Sequence, residues 1–283
     1  MYRDLERSRR VQGLRMSDLT GQVAVVTGGS GVLGRHFCAA LARAGASVAL
    51  LGSTLESASE ASGLLAEQGL TVHPFGADVL DRDSLEAART AIHTQLGRVG
   101  ILVNAAGGNR PTASSSSERN FFEIDLDAVQ YVMNLNFSGT LLASQVFGRD
   151  IAEAGLGTIV NISSMAAERP MTRVAGYAAA KAAVENFTKW LATHLAFEYG
   201  PGVRVNAIAP GFFSTEQNKY LLFNQDGSST ERAQRILAHT PQGRFGNPED
   251  LQGALLWLVS DEARFVTGTV VQVDGGFGAF TGV

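Results

Sequence analysis

Cysteine is almost absent: Cys38 is the only one in 283 residues. No internal disulfide can form, and no cysteine cluster exists to hold a metal, so a reducing compartment is expected and the cytoplasm is the natural one. Cys38 falls in the apolar helical run Phe37-Cys38-Ala39-Ala40-Leu41, which reads as a buried structural thiol rather than a nucleophile. No helical pairing of His with an acid suggests a ligand set, so no metal is expected. An excess of positive charge is missing too. Lys and Arg number 23 against 27 Asp and Glu, a net charge of −4, which argues against nucleic acid as the main partner. No run is long and apolar enough to span a bilayer, so no membrane partner is expected. Residues 1–15 are rich in Arg but broken by Asp4 and Glu6, and they lack the apolar core of a signal peptide. They read as part of a disordered extension over 1–18, or as an upstream start with Met16 the true first residue. Repeats at a solenoid period are also missing, as is any linker that would split the chain.

What is present is an alternation of apolar strands with helices. Val23–Val26 runs into the glycine turn Thr27-Gly28-Gly29-Ser30-Gly31, and a helix follows from about Leu33 to Ala44. Strands are expected at Ser47–Leu51, Thr71–Gly76, Ile101–Asn104, Thr158–Ile162, Val203–Ile208 and Val270–Val273, with helices around Leu55–Gln68 and Ser84–Leu96 between the first of them. This order predicts an α/β fold: one Rossmann-type, doubly wound parallel sheet of about seven strands, flanked by helices, in a single domain over 19–283. Two stretches break the rhythm. Gly107–Asn120, with four consecutive serines, reads as a loop; Phe212–Pro248 reads as a substrate lid between the last two strands.

Gly29-Ser30-Gly31-Val32-Leu33-Gly34 has the form Gly-x-Gly-x-x-Gly. The pattern is weak alone, but here it follows a strand and opens a helix. Glycines let backbone approach a pyrophosphate, and a helix start offers free N–H groups and the positive dipole end. At the end of the second strand no acid stands in Leu51-Gly52-Ser53-Thr54 to grip a ribose 2′-hydroxyl. The cofactor is therefore NAD(H) or NADP(H), with a lean to NADP(H) through Ser53, Thr54 and the nearby Arg35.

Tyr177 and Lys181 stand one helical turn apart, on one face of an alanine-rich helix. An ammonium beside a phenol stabilises phenolate and would draw its pKa down, which suits an acid in reduction and a base in oxidation. Upstream, Asn161-Ile162-Ser163-Ser164 ends an apolar strand, and a hydroxyl there would bond a substrate carbonyl beside the tyrosine, or simply cap a turn.

From about Leu19 to Gly276 the chain resembles the short-chain dehydrogenase/reductase family. The likeness rests on Thr27-Gly28 through Gly34, Asp78-Val79, Asn104-Ala105-Ala106-Gly107, Asn136, Ser164, Tyr177-x-x-x-Lys181 and Pro210-Gly211, all in the family's order. The resemblance implies that Tyr177 is the general acid/base and that Lys181 tunes it and holds the nicotinamide ribose. It implies that Ser164 orients the substrate oxygen and that Asn136 props a water leading to the lysine. Asp78 and Val79 would flank the adenine, Asn104 to Gly107 would line the cofactor cleft, and Pro210 to Thr215, Phe213 included, would close over the dinucleotide. A homotetramer, or a dimer as its half, built through the helices of Asn136 and Tyr177, is implied as well. Two departures stand out: Val32 occupies the place of the family's middle glycine, and Ala105 replaces its second asparagine.

Gly31-Val32-Leu33-Gly34, Ala106-Gly107-Gly108-Asn109, Gly211 through Asn218, His239-Thr240-Pro241 and Gly243-Arg244-Phe245-Gly246 are similar to one branch of that family, described as D-mannonate oxidoreductase-like or fructuronate reductase-like. A small-molecule sugar acid needs an anion receptor and hydroxyl partners. Arg110, Arg169 and Arg173 are candidates for the first, and Asn109, Gln217, Asn218 and His239 for the second. The same chemistry on a gluconate-type, polyol, 3-ketoacyl or hydrophobic substrate is the alternative. A non-catalytic nucleotide-binding scaffold is a third reading, which the joint presence of Ser164, Tyr177, Lys181 and Asn136 disfavours.

Overall fold

The first strand, β1 (Val23–Thr27), is buried along its whole length, and its residues alternate between two cores. Ala24 and Val26 face one helical layer while Val23 and Val25 face the other, as the two-residue period of a doubly covered strand requires. The computed structural model describes residues 18–214, 222–224 and 226–282. Most of the expected N-terminal extension thus lies outside the described residues, as do Thr215, Gln217 and Asn218.

The remaining strands are β2 (Ser47–Gly52), β3 (His73–Gly76), β4 (Ile101–Asn104), β5 (Leu156–Ile162), β6 (Gly202–Pro210) and β7 (Val270–Val273). They form one seven-stranded sheet in the order β3-β2-β1-β4-β5-β6-β7. Every pairing is parallel. The expected boundaries hold to within two or three residues; β6 runs on to Pro210, which sits at the strand's end where a missing N–H is tolerated.

Helices α1 (Val32–Arg43), α2 (Leu55–Ala66) and α8 (Gln252–Val259) cover one face, through Phe37, Leu41, Leu65 and Leu255. Helices α3 (Arg82–Gln95), α5 (Gly139–Ala154) and α6 (Ala175–Tyr199) cover the other, through Leu85, Ile92, Phe147, Ile151 and Leu195. Cys38 lies fully buried in the first core, and burial pushes its thiol pKa far up, so it stays an inert thiol. Helix α4 (Leu126–Met133) passes through one π turn, Asn134–Ser138, before α5 begins. The excursion between β6 and β7 carries α7 (Glu231–Ala238), whose Ala233 and Ile236 pack with Leu222, Phe212, Phe223 and Phe245 in a small core of its own. No helix among the described residues is long and apolar enough to cross a membrane.

Gly63 sits inside α2 without a left-handed backbone angle, and a side-chain carbon added there would meet no atom within 4 Å. Gly63→Ala should therefore raise stability by about 0.5–1 kcal/mol, through the lower entropy of the unfolded chain. Denaturant melts of the two proteins check this.

Candidate active site

The strand order reverses between β1 and β4, because β2 and β3 lie to one side of β1 and β4 to the other. Open α/β sheets leave a crevice at the carboxyl ends of strands where this happens. Here a cleft of about 630 Å³ opens at that point, lined by the turn after β1, the ends of β2 and β4, the segment after β5, and Tyr177 and Lys181 of α6.

The β1 turn is shaped by its glycines. Gly28 takes φ +64°, and a side-chain carbon there would stand 2.7 Å from Ala106 Cα. At Gly34 it would stand 2.1 Å from the Gly28 carbonyl oxygen. Gly31 caps α1 with no side-chain hydrogen bond, and no acid occupies the helix's first turn. Its leading N–H groups and positive dipole end are thus left for an anion. Val32, where the resembled family carries glycine, opens α1 and lines the cleft.

Of the expected cofactor residues, Gly28, Ser30, Gly31, Val32, Leu33, Gly34, Ser53, Asp78, Val79, Ala105, Ala106, Gly107, Pro210, Gly211 and Phe213 line the cleft together with Tyr177 and Lys181. Others stand behind it. Thr27 accepts from the N–H groups of Ala105 and Ala106 through its hydroxyl, both at 3.2 Å, and so ties the ends of β1 and β4 together. Gly29 donates to the Leu51 carbonyl. Asn104 does not face the cleft: its buried amide donates to Ser144 at 2.9 Å and to Asn161 at 2.8 Å, binding β4 to α5 and β5. Thr54 is also turned from its expected use, because its hydroxyl caps α2 by accepting from the Ser57 N–H. Arg35 lines a separate groove with His36, Arg43 and Glu249. Among the described residues that line the cleft, Lys181 is the basic one.

Around the tyrosine the groups do converge. Ser164 hydrogen-bonds the Tyr177 phenol, and it also accepts from the Ala166 N–H at 3.2 Å as the cap of a short turn. The Lys181 ammonium nitrogen lies 5.7 Å from the centre of the Tyr177 ring and donates to the Ile162 carbonyl at 2.7 Å. One expectation is reversed in the free chain. Burial dominates at Tyr177 and raises its phenol pKa, against the smaller lowering by the Ser164 hydrogen bond. Lys181 is fully enclosed, and desolvation lowers its pKa to about 8. The phenol is thus held in its neutral form, while the Lys181 ammonium is brought within reach of giving up its proton just above neutral pH.

Asn136 sits at the π turn, fully buried. Its amide donates to the Gly108 and Val132 carbonyls at 2.7 and 2.8 Å, and its oxygen accepts from the Gly108 N–H at 3.1 Å. The π turn aims it at the loop after β4, next to Lys181: a side-chain carbon on Gly107 would lie 2.5 Å from the Asn136 oxygen and 3.2 Å from the Lys181 nitrogen.

The expected substrate residues are not gathered in the lining. Asn109 donates to Ser114 at 2.9 Å, and Arg169 donates to the Gly278 carbonyl. Arg110 lies over the Tyr131 ring, 3.2 Å from its centre, and His239 donates to the Arg235 carbonyl at the end of α7. Arg173 stands four residues before Tyr177. Tyr131 of α4 does line the cleft, and no motif pointed to it. Glu185 was also missed. It is buried one turn beyond Lys181 and accepts from Ser163 at 2.8 Å, tying the end of β5 to α6, and burial raises its pKa. Its spacing of four from Lys181 was the available signal.

The residues fit a nicotinamide dinucleotide: an uncapped helix start without acid, a backbone-lined entry and a long cleft ending at a phenol and an amine. The family profile described as enoyl-(acyl carrier protein) reductase matches residues 19–278. The uncharacterized oxidoreductase UxuB of Bacillus subtilis is 48% identical over 94% of this chain and 98% of its own length. A solved protein of Haemophilus influenzae, provisionally described as a D-mannonate oxidoreductase and holding NAD, is 40% identical with a TM-score of 0.88, over 95% of this chain and 99% of that one. A gluconate 5-dehydrogenase of Burkholderia cenocepacia, solved with NADP and tartrate, is 30% identical with a TM-score of 0.80, over 92% and 96% of the two chains. Sheet order, cleft and these likenesses agree that the chain belongs to the short-chain dehydrogenase/reductase family, NAD(P)-dependent oxidoreductases that interconvert alcohols and carbonyls.

Proposed function

We propose that the chain interconverts a secondary alcohol and a ketone on a sugar acid, D-mannonate and D-fructuronate being the first pair to test, with NAD(H) as cofactor. The observation that carries the reaction is the Tyr177 phenol, hydrogen-bonded to Ser164 beside the Lys181 amine, at the floor of the cleft. The sugar-acid reading leans on the Haemophilus relative and on the gluconate 5-dehydrogenase. NAD(H) is favoured because, among the described residues, the end of β2 at Ser53 brings no lysine or arginine into the cleft lining, where a 2′-phosphate would need one.

The nicotinamide, when bound, supplies the hydride acceptor or donor. Tyr177 gives a proton to the substrate oxygen in reduction and takes it back in oxidation. Ser164 orients that oxygen. Lys181, its pKa lowered by burial to about 8, shares the proton load with the phenol and would hold the ribose of the bound cofactor. Asn136 holds the loop after β4 against Lys181. The segment bearing α7 serves as the lid over the substrate. The same reading holds a single domain over 19–283. It also assembles the chain as a homotetramer, or a dimer as its half, through α5 and α6, whose outer face exposes Trp190, Phe197 and Tyr199.

Absorbance at the reduced-nicotinamide band tests the whole reading. D-fructuronate should drive oxidation of NADH about tenfold or more faster than of NADPH, the scale of one lost charge-assisted contact. Equal rates would overturn the cofactor preference. No oxidation with either, in a sample that binds NADH, would remove the sugar acid.

A further inference from the structure

Glu185 takes no part in the proton transfer described above, yet it is an acid buried beside the reacting groups. It is 6% exposed, and among the described residues no ammonium or guanidinium lies within ion-pair distance of it. The Ser163 hydroxyl donates to it at 2.8 Å. A carboxylate enclosed without a cation is costly, and an apolar side chain of its size would fill the same space more cheaply. What a buried polar bond supplies instead is one fixed geometry, where apolar packing tolerates several.

Ser163 stands between the two residues that hold the reacting pair. It is the first residue past β5, and it lines the cleft. The carbonyl before it, that of Ile162, accepts from the Lys181 ammonium at 2.7 Å. The residue after it, Ser164, stands in the lining with Tyr177 and hydrogen-bonds the phenol. Ile162 is fixed by the sheet, where it pairs with Ile208 of β6, and the Ser163 N–H still donates to the Ile208 carbonyl at 2.8 Å. Past that bond the ladder ends, and Ser164 opens a short turn. The Ser163 hydroxyl then ties the strand end to α6, through Glu185 and, at a longer 3.3 Å, through the Lys181 carbonyl. Tyr177, Lys181 and Glu185 follow one another at intervals of four, so all three lie on one face of α6.

We propose that Glu185 is a positioning residue: through Ser163 it holds the segment after β5 against α6, so that the Ser164 hydroxyl meets the Tyr177 phenol in the geometry that proton transfer needs. This rests on Tyr177 as the acid/base and not on the sugar acid. The bond requires an acceptor oxygen rather than a charge. Glutamine supplies one, and leucine, of similar size, does not. Without the acceptor the Ser163 hydroxyl turns to the Lys181 carbonyl, so no buried donor is left unpaired and the fold loses little. Ile162 stays in the sheet and keeps Lys181 in place. The Ser163–Ser164 backbone, however, is released from α6, and a shift on the order of 1 Å beside a reacting group costs up to about 10²-fold in rate.

The test compares wild type, Glu185→Gln, Glu185→Leu and Ser163→Ala, with thermal melts and NADH titration by fluorescence. Two further readouts are single-turnover reduction of D-fructuronate and the carbon-13 resonance of the Tyr177 phenol carbon, assigned by its loss in Tyr177→Phe. Glu185→Leu should melt no lower than wild type and bind NADH equally well, yet reduce the ketone about ten- to a hundredfold more slowly, with the Tyr177 resonance displaced. Glu185→Gln should recover most of the rate and the resonance. Ser163→Ala breaks the same bond from the other side and should be as slow, while it melts lower because the carboxylate is left unpaired. Combined with Glu185→Leu it should cost no further rate, since that bond is already gone. Wild-type rate and resonance in Glu185→Leu would overturn the proposal, and so would a Glu185→Gln variant as slow as Glu185→Leu. If wild type leaves D-fructuronate unreduced, the sugar-acid reading fails, and the resonance, which needs no substrate, still decides the role of Glu185.

Discussion

Tyr177→Phe should lower kcat for D-fructuronate reduction by about 10²- to 10⁴-fold, the range that a positioned acid/base supplies, while the NADH dissociation constant stays at its wild-type value. The change removes one oxygen and leaves the ring. That ring is partly buried against Ala128 and Val132, and the oxygen's partner is Ser164, which keeps its second bond to the Ala166 N–H. Little in the fold depends on the phenol oxygen, so melting temperature should move little. The split between kcat and cofactor affinity separates proton transfer from binding: Lys181 keeps its bond to the Ile162 carbonyl, and the β1 turn is untouched. Stopped-flow single turnovers with NADH preloaded measure this directly. Turnover at the wild-type rate would remove Tyr177 as the proton donor, and a matching loss of NADH affinity would make it a cofactor contact instead.

The second large effect concerns a residue with no chemistry of its own. Gly34→Ala places a carbon 2.1 Å from the Gly28 carbonyl oxygen and 2.8 Å from Gly29 Cα, both backbone atoms of the turn. Neither can yield as a flexible side chain would. The turn must move or α1 must shift, at a cost of about 1–3 kcal/mol or more by comparison with overpacked cores. The Gly28 backbone is itself held against Ala106, so the distortion spreads into the mouth of the cleft. NADH affinity should fall at least about tenfold together with the melting temperature. Gly31→Ala is the matched control. Its added carbon meets only the Gly28 oxygen, at 3.2 Å, and the loss should be several-fold smaller. Equal losses in the two would mean that the glycines serve cofactor approach alone and not the packing of the turn.

Much of this was legible without coordinates because it follows short-range rules. Val23–Val26 could only be a strand covered on both faces, and its run into Gly28 and Gly31 announced the helix start that follows. Tyr177 and Lys181 share a face of α6 because four residues make one helical turn, whatever surrounds them. The residues that departed from expectation did so for want of a long-range fact. Asn104 belongs to a recognisable motif, yet its side chain serves Ser144 and Asn161, partners that a linear pattern does not identify. Arg35 is close in sequence to the glycine turn but points into a groove it shares with His36 and Glu249.

Chain order alone therefore determined the alternating α/β class, the glycine turn, and the spacing of Tyr177 with Lys181, because these depend on local periodicity and backbone sterics. Only the tertiary structure decided which of those residues meet. It set the reversal of strand order that opens the cleft, and the burial that raises the Tyr177 pKa while lowering that of Lys181. Burial and charge proximity are properties of the packed volume. Asn104 and Asn161, 57 positions apart, meet only once β4 and β5 lie side by side in the sheet.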